Sequence, residues 1–327
     1  MPTSIGVRVL LAAAGTGLFL CASKGASAQA AFPNRTVKIV VPVPPGPLLD
    51  VLPRILAEKL DSKWGVPVIV ENRPGAASNI GAETVAKAEP DGYTMLVTPP
   101  GPLVVSKWLF PNLAFDPGAF APVTVLITQP PVIVVSPKVP VANLRDLIAF
   151  AKANPSKLNY GSPGTGSTPQ LAMERLQQTA GIKFGHVPYQ GMGPAMNDLL
   201  AGHIDVMMDS LGNVRDHARD GRLKLLAVTT GQRRPEIPEV PAVSEILPGF
   251  VHTEWFAVVG PPKLPGEIAE KLSADIAGAL RLPDIARRLQ ELNVDLVASP
   301  PAEAREFIRQ EAGRWQAALG AGKATAK

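Results

Sequence analysis

Cysteine is almost missing from this 327-residue sequence, and its one thiol, Cys21, lies close to the start. Once the leader described below is removed, nothing remains for a disulfide, a thiolate metal site or a cysteine nucleophile. An excess of one charge is missing too. Lys+Arg 32 against Asp+Glu 28 gives a formal net charge of +4 with no dense basic stripe, which excludes the electrostatic footprint of a duplex-binding protein, so no nucleic acid is expected. Beyond the leader no run reaches the ~18 apolar residues of a membrane span. The four histidines, His186, His203, His217 and His252, are dispersed without an H-E-x-x-H pair, and no G-x-x-x-x-G-K-[ST] loop exists. Neither a metal site nor a cofactor is therefore expected. Gly161-Ser162-Pro163-Gly164 falls one residue short of a G-x-S-x-G elbow, so Ser162 has a weak claim to be a nucleophile. No repeat of solenoid period is found.

What is present is an ordinary globular composition, 46% hydrophobic and 18% charged, which disfavours disorder. After Arg8 an apolar stretch from Val9 to Leu20 is too short to span a bilayer and suits the core of a signal peptide, with Ala26-Ser27-Ala28 as its cleavage motif. Export with cleavage after Ala28 is the expectation, which removes Arg8 and Lys24 and leaves the mature chain close to neutral. Leu20 is bulky where lipoprotein processing at Cys21 wants a small residue, which disfavours a lipid anchor.

Short apolar runs then alternate with helix-like segments. Val37–Val41, Leu48–Trp64, Val66–Val70, Asn79–Ala88 and Tyr93–Thr98 read as a βαβαβ series, the alternation of a parallel sheet covered by helices. Val123–Ile127 and Val132–Val135 flank Gln129-Pro130-Pro131, where the chain is expected to change lobe. A second series follows, with Asn143 capping a helix to Lys152, a strand at Lys157–Tyr160, a helix at Thr168–Thr179, then Phe184–Pro188, Ala195–Ala201, Asp205–Met208 and Leu223–Val228. Phe250–Val259 is expected to return the chain to the first lobe. Helices opened by Pro265, Pro283 and Pro301 complete it. The predicted fold is α/β, two doubly wound mixed sheets joined by two crossing segments, with a leader at 1–28, one lobe from 29–130 plus 252–327 and the other from 131–251.

In such sheets ligands bind beyond the carboxyl ends of strands, where βα loops offer helix N-terminal amides. Two loops stand out. The first is Pro42–Asp50; the second is Gly161–Thr168, with hydroxyls at Ser162, Thr165, Ser167 and Thr168. Helix N-termini carry about half a positive charge and unpaired donors, so a small anion between the lobes would be held without Lys or Arg, and a carboxylate is the expected guest. Taken singly, either loop reads equally well as a tight βα turn. Tyr189-Gln190-Gly191-Met192-Gly193-Pro194 opens another helix and adds a third wall, and Asp209, at a strand end, is a better site candidate than Asp198, which lies in a helix. Trp64, Trp108 and Trp315 are expected to pack, while Trp255 is open to either role.

Asn72-Arg73-Pro74-Gly75, Asn79-Ile80-Gly81, Pro90-Asp91-Gly92-Tyr93-Thr94, Tyr160-Gly161-Ser162, Gly164-x-Gly166-Ser167, Val187-Pro188-Tyr189-Gln190-Gly191 and Asp198–Asp205 occur in order. As a set they resemble the Bug family, the extracytoplasmic solute receptors of tripartite tricarboxylate transporters. The resemblance implies a two-lobe type II periplasmic binding-protein fold that closes on a small organic carboxylate and offers it to membrane permease subunits. On matching positions it places Pro45, Gly46 and Asp50 in the first loop, Ser162, Gly164, Thr165, Gly166, Ser167 and Thr168 in the second, and Tyr189, Gln190 and Gly191 beside them, with Asp209 below. Pro47 stands where the family has a second glycine and Leu49 where it has a hydroxyl residue, and Ala77-Ser78 replaces a usual glycine pair. Gln170 occupies a position often held by His. These departures remove donors from the first lobe and favour a monocarboxylate with an aromatic or aliphatic body over citrate. A receptor docking a sensor kinase, and a secreted serine hydrolase, are the alternative readings.

Overall fold

The computed structural model describes residues 32–321. The expected leader at 1–28, with Cys21 and the cleavage point at Ala28, lies outside the described residues. The first series comprises β1 (Val37–Val41), α1 (Leu48–Trp64), β2 (Val68–Asn72), α2 (Asn79–Ala86), β3 (Thr94–Thr98), the short α3 (Gly101–Val104) and α4 (Ser106–Leu109), and β4 (Ala121–Gln129). The second runs β5 (Pro131–Val135), α5 (Leu144–Ala153), β6 (Asn159–Ser162), α6 (Thr168–Ala180), β7 (Gly185–Pro188), α7 (Met192–Ala201), β8 (Val206–Ser210), α8 (Leu211–Arg219) and β9 (Lys224–Val228). The chain ends with β10 (Glu254–Gly260), α9 (Gly266–Leu280), α10 (Pro283–Glu291), β11 (Asp295–Leu296) and α11 (Pro301–Ala321).

Two mixed sheets result, ordered β11-β4-β10-β3-β1-β2 and β7-β6-β8-β5-β9. In the first, β1 runs parallel to β2 and β3 while β10 is antiparallel to β3 and β4. In the second, β6 runs parallel to β7 and β8 while β5 is antiparallel to β8 and β9. Period-2 alternation gives the second sheet two buried faces. Ile133, Val135, Val206 and Met208 pack on one side with Tyr160 and Met173, and Val132, Val134 and Met207 on the other with Ala195 and Leu199.

The chain passes from the first sheet to the second between Gln129 and Pro131, and Thr229 to Glu254 brings it back. The two crossings are tied together: Thr229 donates its N–H to the Pro131 carbonyl and His252 donates its N–H to Thr229, while Gln129 pairs with Glu254 across the ladder. Asn143 caps α5 as expected, its Oδ1 accepting the Asp146 N–H at 3.0 Å.

Several boundaries differ from expectation, among them β6, which runs Asn159–Ser162 and so takes Gly161 and Ser162 into the strand; three have a clear local reason. β2 starts at Val68 because Pro67, which accepts from the Val37 N–H, has no N–H to return. β10 starts at Glu254 rather than Phe250: Phe250 is anchored in the second sheet's core, and Arg175 occupies the Gly249 and Val251 carbonyls that a ladder would need. Pro265 caps α9 from outside instead of starting it. α8 follows β8 with no intervening loop and was not anticipated. Among the tryptophans, Trp255 is fully buried against Phe307 and belongs to the core, Trp64 donates its indole N–H to Asp275, and Trp108 is exposed instead of packed.

Candidate functional site

The first loop leaves β1 and enters α1. Its key residue, Asp50, is 2% exposed, and its carboxylate accepts from the Gly46 N–H at 3.0 Å, from Arg54 Nε and Nη2, and from Asn72 Nδ2 at 2.7 Å. Asn72 also donates to the Val43 carbonyl. Burial alone would raise the Asp50 pKa, but the bonds from Arg54, Asn72 and Gly46 outweigh it and hold the group below the usual carboxylate range. Asp50 and Gly46 are thus brought together, each spent on the other, and the pair braces the loop. Pro45 and Gly46 are exposed. Of the two departures, Leu49 is buried and Pro47 remains at the surface.

The second loop leaves β6 and enters α6. Ser162 is completely buried, with its Oγ 2.8 Å from His186 Nε2 and accepting the Gly164 N–H at 3.2 Å. His186 stacks on Tyr160, and burial, opposed by the charge of Glu174, lowers its pKa. Ser167 donates its hydroxyl to the Gly164 carbonyl at 2.6 Å, and Gly166 donates its N–H to Gln170 Oε1. Gly166, at φ +83°, lies so close to Phe110 that an added Cβ would come within 3.1 Å of the ring. Only glycine combines that backbone with that approach. The Thr165 hydroxyl, at the exposed tip, has no protein partner among the described residues.

The third loop rests on the second: Tyr189 donates its N–H to the Ser162 carbonyl at 2.9 Å, and its phenol donates to Asp198 at 2.6 Å. Burial and the neighbouring Asp198 carboxylate push the phenol pKa up to about 12. Asp198, on α7, therefore orients Tyr189. Gln190 is exposed, and Gly191, at φ +114°, stands at the N-cap of α7.

Asp209 closes the bottom, at the carboxyl end of β8 beside Val132 of β5. Its Oδ1 accepts from the Ser210 N–H and Asn213 Nδ2, while its buried Oδ2 has no hydrogen-bond partner among the described residues. Burial pushes its pKa up to about 7, the charge of Glu254 adds to the rise, and the bonds from Asn213 and Ser210 only partly offset it. Glu254 and His252 were missed from sequence. Glu254 bonds His252 Nε2 at 3.0 Å and accepts from the Thr168 hydroxyl at 3.2 Å, tying the start of α6 to the return crossing. The signal was visible: Glu254 is the one carboxylate inside the apolar run Phe250–Val259.

The second and third loops thus meet at Ser162 and Tyr189, and Glu254 ties the start of α6 to the return crossing and acts on Asp209. The chain's residues 52–321 match the sequence profile of the tripartite tricarboxylate transporter family receptor. The chain belongs to the Bug family. A protein from the tcbD-tcbE intergenic region of Pseudomonas sp. strain P51 is 35% identical over 96% of this chain and 94% of its own length. BugT of Bordetella pertussis is 34% identical over 91% and 93%. Among solved structures, Rpa4515 of R. palustris with adipate has a TM-score of 0.83 at 31% identity, covering 88% of this chain and 97% of the other. MatC from Rhodopseudomonas palustris with bound malate has 0.82 at 30%, covering 88% and 100%. The fold of these structures is that of the two sheets described above.

Against Bug receptors, this chain's Ala77-Ser78 departure has a structural cost. Ala76, Ala77 and Ser78 are all left-handed, at φ +48°, +52° and +75°, where the family's glycines fit without strain. Among the described residues no group of three His, Cys, Asp or Glu could hold a metal ion, and no helix is long and apolar enough to cross a membrane.

Proposed function

We propose that this protein is a periplasmic solute receptor that binds a small organic carboxylate between its lobes and delivers it to the membrane permease subunits of a tripartite tricarboxylate transporter. The observation that carries the reading is the second loop. Its polar side chains, Ser162, Ser167 and Thr168, are engaged in bracing the start of a thirteen-residue helix, which leaves the α6 amides and the Thr165 hydroxyl as anion donors. Adipate and malate occupy the structurally similar proteins. Pro45, Gly46, Asp50, Ser162, Gly164, Thr165, Gly166, Ser167, Thr168, Tyr189, Gln190, Gly191 and Asp209 form the site, with Asp50, Ser162 and Tyr189 acting by holding loops in place. The lobe boundaries at 130/131 and 251/252 follow the two crossings, and cleavage after Ala28 releases the exported form. Pro47 leaves the first lobe short of one amide, which supports a monocarboxylate with an aromatic or aliphatic body in preference to citrate.

The protein binds without turning its ligand over: Ser162 meets a base in His186, but its hydroxyl is sealed from solvent. Thermal unfolding against adipate, malate, citrate, benzoate and phenylacetate, each beside its amide, tests the reading. A ligand at 100 times its Kd adds about 2.7 kcal/mol, several degrees in Tm. Shifts with acids and none with amides are expected; shifts by amides alone, or by none of the acids, would overturn it.

A further inference from the structure

Among the described residues Asp209 is the one buried acid whose second oxygen has no hydrogen-bond partner, and it is 6% exposed. Buried polar atoms are nearly always paired, and an unpaired carboxylate oxygen is costly. Its position is specific. β8 and β6 run parallel with Gly161 beside Met207, so two residues further on Asp209 stands beside the mouth of the second loop. It also feels the charge of Glu254, which holds Thr168 at the first turn of α6. A guest anion held at that helix end therefore lies toward a second acid. An ionised Asp209 would repel it; a protonated one would donate to it.

We propose that Asp209 is the specificity-determining residue of the cleft, meeting the bound carboxylate as a neutral acid through an Oδ2–H donor, so that the receptor takes up a proton together with its anion. This deepens the carboxylate reading above and rests on it. The surroundings support the neutral form. Of the strands paired with β8, β5 carries no titratable residue and β6 carries only Tyr160, whose hydroxyl goes to Glu174. On α8, Asn213 is neutral, and Arg215 donates its Nη1 to Asn293 and lies 3.8 Å from Asp216 through Nε, which has no hydrogen-bond partner among the described residues. On α6, Thr168 is neutral. On β10, Glu254 is negative and shares His252. No Lys or Arg acts on Asp209, and burial has already brought it to about 7 without ligand. An anion accepting from Oδ2–H pushes it higher still.

The linkage has a definite sign. Below about pH 7 the acid is already protonated and affinity is constant. Above it each bound anion must draw a proton from solvent, so affinity falls up to tenfold per pH unit until the pKa of the complex is passed.

The test titrates the purified protein with the tightest-binding acid among adipate, malate, citrate, benzoate and phenylacetate, from pH 6 to 9. Calorimetry in two buffers of different ionisation enthalpy counts protons, and the ¹³C carboxyl signal of Asp209, assigned by its loss in Asp209→Asn, follows its titration without and with that acid. Expected are uptake approaching one proton per ligand at pH 8, a tenfold loss of affinity per unit above 7, an Asp209 signal that titrates near 7 and moves up with ligand, and pH-independent binding in Asp209→Asn. An Asp209 that titrates near 4, or pH-independent binding by the unmodified protein, overturns the proposal while leaving the carboxylate reading intact. Affinity that rises with pH overturns it. If none of the acids binds at any pH, both fall. The ¹³C arm on the unmodified protein decides the matter even where the variant binds poorly.

Discussion

Two aspartates, one in each lobe, end up in opposite states. Asp50, in the first lobe, is 2% exposed yet surrounded by donors, and it is held ionised below the ordinary carboxylate range. Asp209, in the second, is equally hidden, but half of its carboxyl group is unpaired beside another acid, and it is driven up to about 7. Burial acts on both in the same direction; what separates them is the company supplied by chain-distant residues. In one lobe a finished hydrogen-bond network stiffens a loop, and in the other an unfinished one is left for a guest.

The strongest way to break this contrast is to remove the charge of Asp209. A raised carboxyl pKa means the native state holds a proton that the unfolded chain has released, so wild-type stability falls as pH rises from about 4 to about 7 and is level above that. Asp209→Asn lacks this slope. The gap between the two proteins should open over that window to at most roughly 4 kcal/mol, read from urea midpoints at pH 4, 5.5 and 7.5. Parallel curves would mean that Asp209 stays ionised.

Asp50 should behave in the opposite sense. Its lowered pKa gives stability that is present above about pH 4 and lost as the pH falls through the native value. Asp50→Ala also strands Gly46, Arg54 and Asn72, and a cost of about 2–3 kcal/mol at pH 7 is expected. That cost should shrink toward pH 2–3. A difference that stays constant down to pH 2 would show that the loop is held by packing alone.

How far these features were readable from sequence follows the same division between near and far. Local chemistry was legible: Asn143 as a cap, the glycine-rich turns, Thr168 as a helix start, and Gln129-Pro130-Pro131 as a crossing all depend on neighbours within a few residues. The βα alternation gave both sheets because period and strand length are local too. Glu254 with Thr168, and Ser162 with His186, join residues 86 and 24 positions apart, and no spacing rule reaches that far. The family resemblance places Asp50 in the site, whereas its partners Arg54 and Asn72, which hold the loop, are visible only in the fold.

The contact between the lobes can be sharpened at Gly166. Its left-handed backbone and its approach to Phe110 make Gly166→Ala cost roughly 2 kcal/mol, most of it backbone strain. Phe110→Leu, added to it, should return only the part due to the ring. A double-mutant cycle on unfolding midpoints separates the two, and full recovery would show that the ring, and not φ, dictates glycine here.

The smallest effect belongs to the first lobe's departure from its family. Ala77, at φ +52°, sits between two other left-handed non-glycine residues and makes no side-chain hydrogen bond that a change would forfeit. Placing an L-residue there costs roughly 1–2 kcal/mol, while glycine's extra freedom in the unfolded chain takes back about 0.5–1. Ala77→Gly should therefore stabilise the protein by a few tenths to about 1 kcal/mol, a rise of about 1–3 °C in Tm for a chain of this size. Ser78 is the poorer test, because its hydroxyl reaches the Pro42 carbonyl at the root of the first loop. A fall in Tm for Ala77→Gly would mean that its methyl group is packed usefully at that turn, and that the first lobe gains from losing its glycine rather than paying strain for it.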